Sequence, residues 1–434
     1  MPVEASSMFG VPAVGLASPP VLLPARFPAG PLNVMFVGSY PPRECGIATF
    51  TRDTRQAIRQ IDRGGAAGVI ALNDPGATYA YPPEVAWQID RDLASSYDEA
   101  AEFVNRSGCQ VVNVQHEYGL FGGDWGDFLF RFLERVRRPV VLTMHTVLPA
   151  PDATLRDVTR DLIAHAERVV VLARTAMDIL WRDYAVSSEK LRFVPHGVPH
   201  VQLTSEVGAK RALNLEGRTV LTTCGLMGPG KGIEYAIDAV AQLAREFPAV
   251  LYVVAGETHP GEKAQNGERY RERLVKQVRQ LGMDEHVHFE NRYLSNHELV
   301  LHLLASDVYV VPYLNLNQIV SGTIAYALGC GRAIVSTASL YAREVLSQDR
   351  GVLIKPRQPE SIGAGVASIL RNPEGKLAMQ RRAYALGHSM IWPNVARAYI
   401  DTFKSAISSN PGNVVSHQEV TALPPFVQTP ATAA

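Results

Sequence analysis

A loop that ends in small and hydroxylated residues offers the clearest candidate for chemistry in this sequence. Ser321, Gly322 and Thr323 open an apolar segment in which Ile324 and Leu328 recur at helical spacing. The first backbone amides of a helix have no partner inside the helix, and the helix dipole favours negative charge at that end. Small side chains let an anion approach these amides. The pattern therefore predicts a phosphate site, although an ordinary helix cap would give the same local sequence.

A glycine-rich loop in the same half of the chain is a second candidate for anion binding. Lys231 lies in this loop, which begins at Gly225 and contains three further glycines. A compact ammonium group beside exposed backbone amides suits a diphosphate, and a solvated lysine in a turn is the alternative. The spacing differs from the GxxxxGK[ST] pattern of a P-loop. Gly256 and Glu257 follow another predicted strand, and we expect all three segments to meet at one sheet edge.

Three histidines in the first half of the chain each follow a predicted strand. They are His116, His145 and His196, and the carboxyl ends of parallel strands are where open α/β sheets bind ligands. A single histidine at a strand end is more often structural, but three at one edge favour a site. We predict that His145 bonds a sugar hydroxyl or an acceptor. The pair His116-Glu117 could begin an HExxH zinc motif, but Leu120 at the fourth residue excludes it.

Predicted strands and helices alternate along most of the chain. Strands are predicted over 33–37, 68–72, 110–114, 140–144, 168–172, 191–194, 220–223, 249–255, 287–289, 307–311, 333–335 and 351–354. Helical spacing fills the intervals between most of these strands, which is typical of doubly wound parallel sheets. The weakly periodic segment 199–217 separates two such halves. Loose tails are predicted at both ends, over 1–30 and 406–434.

Composition indicates an ordinary soluble protein of two domains. The chain has 434 residues, and 42 basic residues balance 42 acidic ones. A formal net charge of zero gives no electrostatic footprint for nucleic acid. The four cysteines lie far apart, which favours reduced thiols. Because we find neither a signal peptide nor an apolar run long enough to span a bilayer, we expect a cytoplasmic protein.

Two further patterns suggest other functions less strongly. The helix predicted over Asp127–Arg138 has an apolar face opposite four arginines and could rest on an anionic membrane. We prefer a core helix whose arginines extend to solvent. Asp90 and Asp92 form a D-x-D pattern, which we interpret as a solvated face and not as a metal site.

The pattern as a whole resembles the family 4 (group 1) glycosyltransferases of the GT-B fold. The resemblance extends from about Asn33 to Phe403 and includes the Lys231 loop, the strand end at Gly256 and the segment Val194-Pro-His-Gly197. The run from Ala325 to Thr337 looks like the family's EAMAxGxPVVAT segment. The resemblance implies two Rossmann-like domains that face each other across a cleft. It also implies retaining transfer of a sugar from a nucleotide-diphosphate donor, without a required metal or other cofactor.

The family also implies the roles of the domains. The first, over 31–200, would bind the acceptor, and the second, over 201–385, would bind the nucleotide sugar. A final helix over 386–405 would cross back to the first domain. Lys231 and Gly225 would bind the donor diphosphate above the helix start at Ser321, Gly322 and Thr323.

On the other side of the cleft, the resemblance places His145 against the transferred sugar or its acceptor. Gly46, in the first strand-to-helix loop, would let the donor phosphate and the acceptor approach the backbone. His116 is predicted on the same acceptor side. In such enzymes the leaving phosphate helps to deprotonate the acceptor, so catalysis depends on charge stabilisation and alignment.

Three positions depart from the family pattern. Its paired glutamates, eight positions apart, fall at Gln318 and Tyr326, and a phenol cannot accept two ribose hydroxyls as a carboxylate does. An arginine expected after Gly225 is Leu226. Gln318 and Tyr326 remain predicted donor contacts, and Glu257 is predicted to replace part of the lost carboxylate function.

These departures keep three functions open. The first is a glycosyltransferase that uses a nucleotide sugar, with mannose or glucose as the transferred hexose and a carbohydrate or another hydroxyl compound as acceptor. The second is a retaining GT-B phosphorylase that uses a sugar phosphate. The third is a non-catalytic relative that binds a sugar or a nucleotide. Product formation separates the third from the others, and turnover with free phosphate identifies the second.

Overall fold

The apolar runs predicted as strands form two parallel sheets in the computed structural model, which describes residues 30–410. All five residues of the first strand, Val34–Gly38, are buried. Continuous burial is expected where helices cover both faces of a parallel sheet. The predicted fold of two doubly wound α/β domains is therefore confirmed.

The first sheet has seven strands in the spatial order β3-β2-β1-β4-β5-β6-β7, and all neighbours are parallel. These strands are β1 Val34–Gly38, β2 Ala67–Asn73, β3 Val85–Asp90, β4 Val111–His116, β5 Val140–Met144, β6 Arg168–Val171 and β7 Leu191–Phe193. The helices between them are α1 Gly46–Ile61, α2 Ala94–Arg106, α3 Phe128–Arg135, α4 Ala153–Ala164 and α5 Arg174–Tyr184. Val34 lies in register with Ala67 on one side and Val111 on the other.

The second sheet has six parallel strands in the order β10-β9-β8-β11-β12-β13. They are β8 Thr219–Cys224, β9 Val250–Ala255, β10 Val287–Glu290, β11 Val308–Val311, β12 Ile334–Thr337 and β13 Val352–Ile354. The helices of this half are α6 Val207–Ala212, α7 Ile233–Leu243, α8 Pro260–Asn266, α9 Arg269–Gln280, α10 Asn296–Ala305, α11 Gly322–Gly329, α12 Leu340–Val345, α13 Pro359–Leu370 and α14 Pro373–Ser389. A 3₁₀ turn over Pro229–Lys231 precedes α7.

The last helix, α15 Trp392–Ser409, returns to the first domain. Phe403 is fully buried and meets Phe36 of β1 edge to face, with 6.3 Å between the ring centroids. The hydroxyl groups of Tyr399 and Thr143 are 3.2 Å apart. The chain therefore closes on the sheet where it began, although the exact domain limits stay a prediction.

Two features of the fold differ from the sequence prediction. The edge strand β3 was not predicted, because only Val85 and Ile89 are buried and the residues between them are partly exposed. The C-terminal tail predicted from residue 406 begins too early, since Ala406 and Ile407 are buried and α15 continues to Ser409. The rest of that tail, and residues 1–29 of the N-terminal one, lie outside the described residues.

Helix α3 lies against the first domain with its apolar face inside. Leu129, Phe132 and Leu133 are buried, while Arg131 and Arg135 form ion pairs with Asp98 of α2. The helix is thus part of the core, as the sequence favoured. Between residues 30 and 410, no helix combines the length and the apolar character needed to cross a membrane.

Candidate active site

The carboxyl ends of the two sheets border a cavity of about 950 Å³ between the domains. The first domain contributes the start of α1 and the loops after β4 and β5. The second domain contributes the loops after β8 and β9 and the start of α11. Every predicted site residue except His116 lines this cavity.

The start of α11 forms part of the second-domain wall. The Ser321 hydroxyl accepts a hydrogen bond from the backbone amide of Ile324 at 3.4 Å, so Ser321 caps the helix. The amides of Gly322 and Thr323 precede the first bond of the helix, which runs from the amide of Ala325 to the carbonyl of Ser321. These two amides are the donors that a helix start leaves for an anion.

Lys231 lines the same cavity as this helix start. Its ammonium nitrogen is 4.0 Å from the centroid of the Tyr313 ring, which is a cation–π contact. None of the ion pairs within residues 30–410 includes Lys231. A lysine that rests on an aromatic ring, without a carboxylate partner, keeps its charge available for an anionic ligand.

Two glycines let the loops of β8 and β9 approach each other and the helix. Gly256 has φ of +141°, and a Cβ atom there would lie 2.1 Å from the carbonyl oxygen of Gly225. Gly225 itself has φ of +117°, and its own Cβ position would be 3.7 Å from the Thr323 methyl group. Glycine is therefore required at Gly256 by contact and at both positions by backbone conformation.

Glu257 lies on the same wall but faces the first domain. A hydrogen bond to Glu257, burial and repulsion from its carboxylate raise the pKa of Glu44, which belongs to the loop before α1. The two carboxyl groups, one from each domain, therefore lie near each other. Two carboxyls can share a hydrogen bond only when one of them is protonated.

Gln318 and Tyr326 stand where the family pattern has carboxylates, and the two differ in availability. The Gln318 amide donates to the backbone carbonyl of Val320 at 2.9 Å, which leaves its side-chain oxygen free. The Tyr326 hydroxyl donates to Asp53 of α1 at 3.3 Å, and the Tyr326 side chain is almost completely buried. Burial, followed by the Asp53 charge, raises the pKa of Tyr326. Tyr326 therefore contacts the opposite domain, and its hydroxyl is already bonded.

His145 follows β5 and faces the cavity from the first domain. Its Nε2 atom lies 2.8 Å from the side-chain oxygen of Gln115, which can only accept, so Nε2 donates and Nδ1 is left as an acceptor. Its ring meets Phe50 edge to face at 4.9 Å. Burial, with smaller contributions from His196 and His116, lowers the pKa of His145 to about 3. The ring is therefore neutral at physiological pH and suited to accept a hydroxyl proton in a hydrogen bond.

The prediction that His116 belongs to the acceptor side is wrong. As the last residue of β4 it is fully buried, and its ring packs between Tyr118 and Phe121 in the core of the first domain. Neither ring nitrogen has a hydrogen-bond partner, and burial lowers the pKa of His116 to about 4. The strand continues two residues further than predicted, so His116 lies within the sheet and its side chain packs in the core.

Gly46 lies at the cavity, and its predicted role stays a prediction. It is the first residue of α1 and lines the cavity, and its missing side chain leaves open space, with no atom within 4 Å of an added Cβ. Leu226, where the family pattern has arginine, lies on the opposite wall.

Two further residues, His196 and Glu117, line the cavity without a role predicted for them individually. His196 donates from Nδ1 to the carbonyl of Gly197 at 2.8 Å, and a Cβ on Gly322 would lie 2.9 Å from its Nε2 atom. Burial lowers the pKa of His196 to about 4. Glu117 follows β4 and accepts from the Thr146 hydroxyl at 2.6 Å. Glu117 could have been identified from the sequence by its position after a strand, which is the criterion that identified His145.

Comparison with known proteins places this arrangement among sugar-transferring enzymes. Residues 209–386 match the family described as glycosyl transferases group 1. The D-inositol 3-phosphate glycosyltransferase of Kineococcus radiotolerans is 23% identical over 447 residues, which cover 93% of this chain and 97% of that protein. The protein of the same name from Segniliparus rotundus is 25% identical over 290 residues, which cover 63% of this chain and 62% of that protein.

Solved structures of similar fold extend over most of the described chain. Anabaena HepE in complex with UDP has a TM-score of 0.69 and 15% identity, and the match covers 86% of this chain and 100% of that one. Sucrose-phosphate synthase from Thermosynechococcus elongatus has a TM-score of 0.71 and 16% identity, with 87% and 100% covered. At this level of identity the likeness concerns the fold, including the way two Rossmann-like domains face each other.

Proposed function

We propose that the chain, which is similar to the group 1 (family 4) glycosyltransferases and has the GT-B fold, moves a hexose from a nucleotide-diphosphate sugar to a hydroxyl acceptor. The observation that carries this proposal is that Lys231 and the start of α11 both line the second-domain side of the cavity. An ammonium group and two helix amides without a partner inside the helix suit the negative charge of a diphosphate.

The donor binds to the second domain in this proposal. Its diphosphate accepts from the amides of Gly322 and Thr323 and pairs with Lys231. Gly225 and Gly256 leave room for the phosphates beside the backbone, and Gln318 and Glu257 contact the sugar or the nucleoside. Related structures that hold UDP or UDP-glucose support a nucleotide donor.

Transfer then depends on stabilising the leaving diphosphate. Negative charge develops on the phosphate oxygen as the glycosidic bond breaks, and Lys231 and the helix start are already oriented toward it. The acceptor hydroxyl approaches on the same face of the sugar and passes its proton to the departing phosphate, so the anomeric configuration is retained. Neutral His145 aligns the sugar or the acceptor through its free Nδ1 atom. The proposed reaction needs neither a protein nucleophile nor a metal.

A phosphorylase is the second candidate, and the bond between Tyr326 and Asp53 favours it. The Tyr326 hydroxyl, at the position of the family's ribose-binding carboxylate, is therefore already bonded to Asp53. An enzyme without a ribose ligand would use a sugar phosphate as its donor and release free phosphate, which is the co-substrate of the reverse reaction.

A thermal-shift panel followed by product analysis tests these functions. The panel contains GDP, UDP, their hexose conjugates and hexose 1-phosphates. We expect a nucleoside diphosphate and its sugar conjugate to stabilise the protein, and a hexosylated product to form from that conjugate. Response to sugar phosphates alone would favour the phosphorylase. Stabilisation without any product would indicate a binding protein.

The variant Lys231→Ala tests whether the nucleotide binds in this cavity. It should abolish stabilisation by the nucleotide, whereas Lys276→Ala, on the exposed face of α9, should not change it.

A further inference from the structure

The first-domain wall of the cavity carries a carboxylate that the transfer reaction described above does not use. Glu117 follows β4, and its side-chain oxygens accept from the Thr146 hydroxyl at 2.6 Å and from the backbone amide of Tyr118 at 3.1 Å. Both bonds are donated to the carboxylate, so they hold it as an acceptor. Burial nevertheless raises the pKa of Glu117, which means that its charge is only partly compensated.

Glu117 is close to the place where an acceptor would react. Residues His145 and Thr146 are consecutive, and both line the cavity together with Glu117. The backbone amide of His145 also bonds to the carbonyl of His116, the residue before Glu117, at 3.0 Å. The predicted sugar contact and the carboxylate therefore lie side by side at the ends of two adjacent strands.

The charges that line the cavity are unfavourable for a second anion. Within residues 30–410, four carboxylates and a single cation line it. The carboxylates are those of Asp53, Glu117, Glu257 and Glu262, and the cation is that of Lys231 on the donor wall. No arginine is among the cavity-lining residues of the described chain.

Two arginines near the first-domain wall already form ion pairs with aspartates. Arg43 pairs with Asp74 at 2.6 Å, and Arg52 pairs with Asp53 at 2.8 Å. The histidines on the cavity wall do not supply charge. Burial lowers the pKa of His145 to about 3 and that of His196 to about 4, and it also lowers the pKa of His259.

We propose that Glu117 binds a hydroxyl group of the acceptor, and that this acceptor is an uncharged polyhydroxyl compound without a phosphate group. The inference rests on the proposed transferase function and adds the class of acceptor to it. A sugar hydroxyl donates to a carboxylate readily, whereas a phosphate beside Glu117 would meet like charge with no cation to pair with. In this respect the protein differs from the relatives that are named for D-inositol 3-phosphate.

Matched pairs of acceptors test this inference. The pairs are myo-inositol with inositol 3-phosphate, fructose with fructose 6-phosphate, and mannose with mannose 6-phosphate. Binding of each is measured by calorimetry on the protein saturated with its nucleoside diphosphate, and transfer is measured with the nucleotide sugar. We expect at least one uncharged member to bind, and its phosphorylated partner to bind about tenfold more weakly or not at all.

Binding of a phosphorylated member as tightly as its uncharged partner would overturn the inference, and so would binding of no member. Nucleotide binding is recorded on the same samples. If the protein binds the nucleotide but prefers a phosphorylated acceptor, only the proposed class of acceptor is contradicted. If it binds no nucleotide, the proposed transferase function is contradicted.

Variants of Glu117 test the residue itself. Glu117→Gln keeps the shape of the side chain and should raise the KM for the uncharged acceptor about tenfold, as expected for a lost hydrogen bond to a charged group. It should also reduce the ratio between the affinities for the uncharged acceptor and for its phosphorylated partner. The nucleotide affinity should not change.

Two further variants separate charge from contact. Thr146→Val removes a bond to Glu117 without altering charge, so the preference for the uncharged acceptor should persist. Glu102→Gln removes a carboxylate from the exposed face of α2 and should change none of these quantities. An unchanged KM and an unchanged preference in Glu117→Gln would exclude the assigned role.

Discussion

The second-domain wall of the cavity presents mainly backbone groups, whereas the first-domain wall presents side chains that hold one another in place. On the second wall, glycines at 225 and 256 and the start of α11 expose amides beside one lysine. On the first wall, His145 bonds to Gln115, and the Gln115 amide donates to Asn113 at 2.5 Å. Asn113 then donates to the hydroxyl of Thr143 at 2.9 Å.

This difference corresponds to two kinds of recognition. A diphosphate has the same shape in every nucleotide sugar, so a fixed arrangement of backbone amides can serve many enzymes. Acceptors vary, and side chains can vary with them. The chain of polar groups on the first wall ends at Tyr399 of α15, so the returning helix supports the position of His145. We therefore expect changes on the second wall to affect the donor and changes on the first wall to affect the acceptor.

The largest effect is expected for Lys231→Ala. Among residues 30–410, Lys231 is the one cation that lines the cavity. Its removal should lower kcat/KM for the donor about 100-fold, as expected when one group that stabilises transition-state charge is lost. Steady-state kinetics with Lys276→Ala as the matched surface control measures the effect. A loss smaller than about threefold would mean that the diphosphate lies elsewhere, because a fixed charge beside it must matter more.

Gly256→Ala should reduce stability more than any conservative change on the first wall. The added methyl group would clash with the Gly225 carbonyl, and φ of +141° is costly for alanine, so we expect a loss of at least about 2 kcal/mol in the free energy of unfolding. Urea titration measures it. Gly208→Ala, in helix α6 with open space around it, should be neutral or slightly stabilising. Equal stability of both variants would show that the β8 and β9 loops do not approach as described.

The variant His116→Leu tests whether His116 belongs to the buried core of the first domain and not to the cavity wall. Since the pKa of His116 is about 4 in the folded protein, the unfolded chain takes up this proton near pH 6.5 and the folded protein does not. Stability is therefore lost as the pH falls from about 6.5 to 4, by up to about 1.4 kcal/mol per pH unit for this one group. The variant should lack that contribution and should be about 1 kcal/mol more stable at pH 7, because it removes an unpaired polar group.

Urea titrations between pH 4 and pH 8 compare His116→Leu with the wild type. An identical pH dependence in the two proteins would contradict the buried, neutral histidine. Transfer activity at pH 7 should not change, since the side chain does not reach the cavity.

Tyr326→Phe should give the smallest effect. The lost bond to Asp53 is 3.3 Å long and partly replaced, since Asn296 donates to the same carboxylate oxygen at 2.7 Å. We expect a change of at most about 1 kcal/mol in stability and nucleotide affinity within about twofold of the wild type. A tenfold loss of nucleotide affinity would mean that the tyrosine hydroxyl leaves Asp53 to bind the donor.

Most strands and the longer helices could be predicted from the sequence because burial on both faces leaves continuous apolar runs. Strand β5 has the predicted limits, Val140–Met144. The edge strand β3 could not be recognised, since Trp87 and Gln88 are only partly buried and interrupt the apolar pattern. The short helices α8 and α12 each contribute too few turns for a helical period to show.

The predictability of the site differs between its two walls. On the second wall, glycines and a helix start in the sequence predict that backbone amides bind the ligand, and these residues line the cavity as expected. Side-chain recognition depends on which way a strand-end residue points. Because β4 ends two residues later than predicted, His116 is part of the strand and Glu117 is the first residue after it. His116 was therefore assigned to the cavity and Glu117 was not, although the structure has Glu117 on the wall and His116 in the core.

One comparison of two variants tests the division between the walls most directly. Binding of the nucleoside diphosphate and of the uncharged acceptor is titrated by calorimetry into the wild type, Lys231→Ala and Glu117→Gln. We predict that Lys231→Ala loses nucleotide affinity and keeps acceptor affinity, and that Glu117→Gln does the reverse. Loss of both affinities in both variants, or the opposite assignment, would contradict a donor site on the second domain that faces an acceptor site on the first.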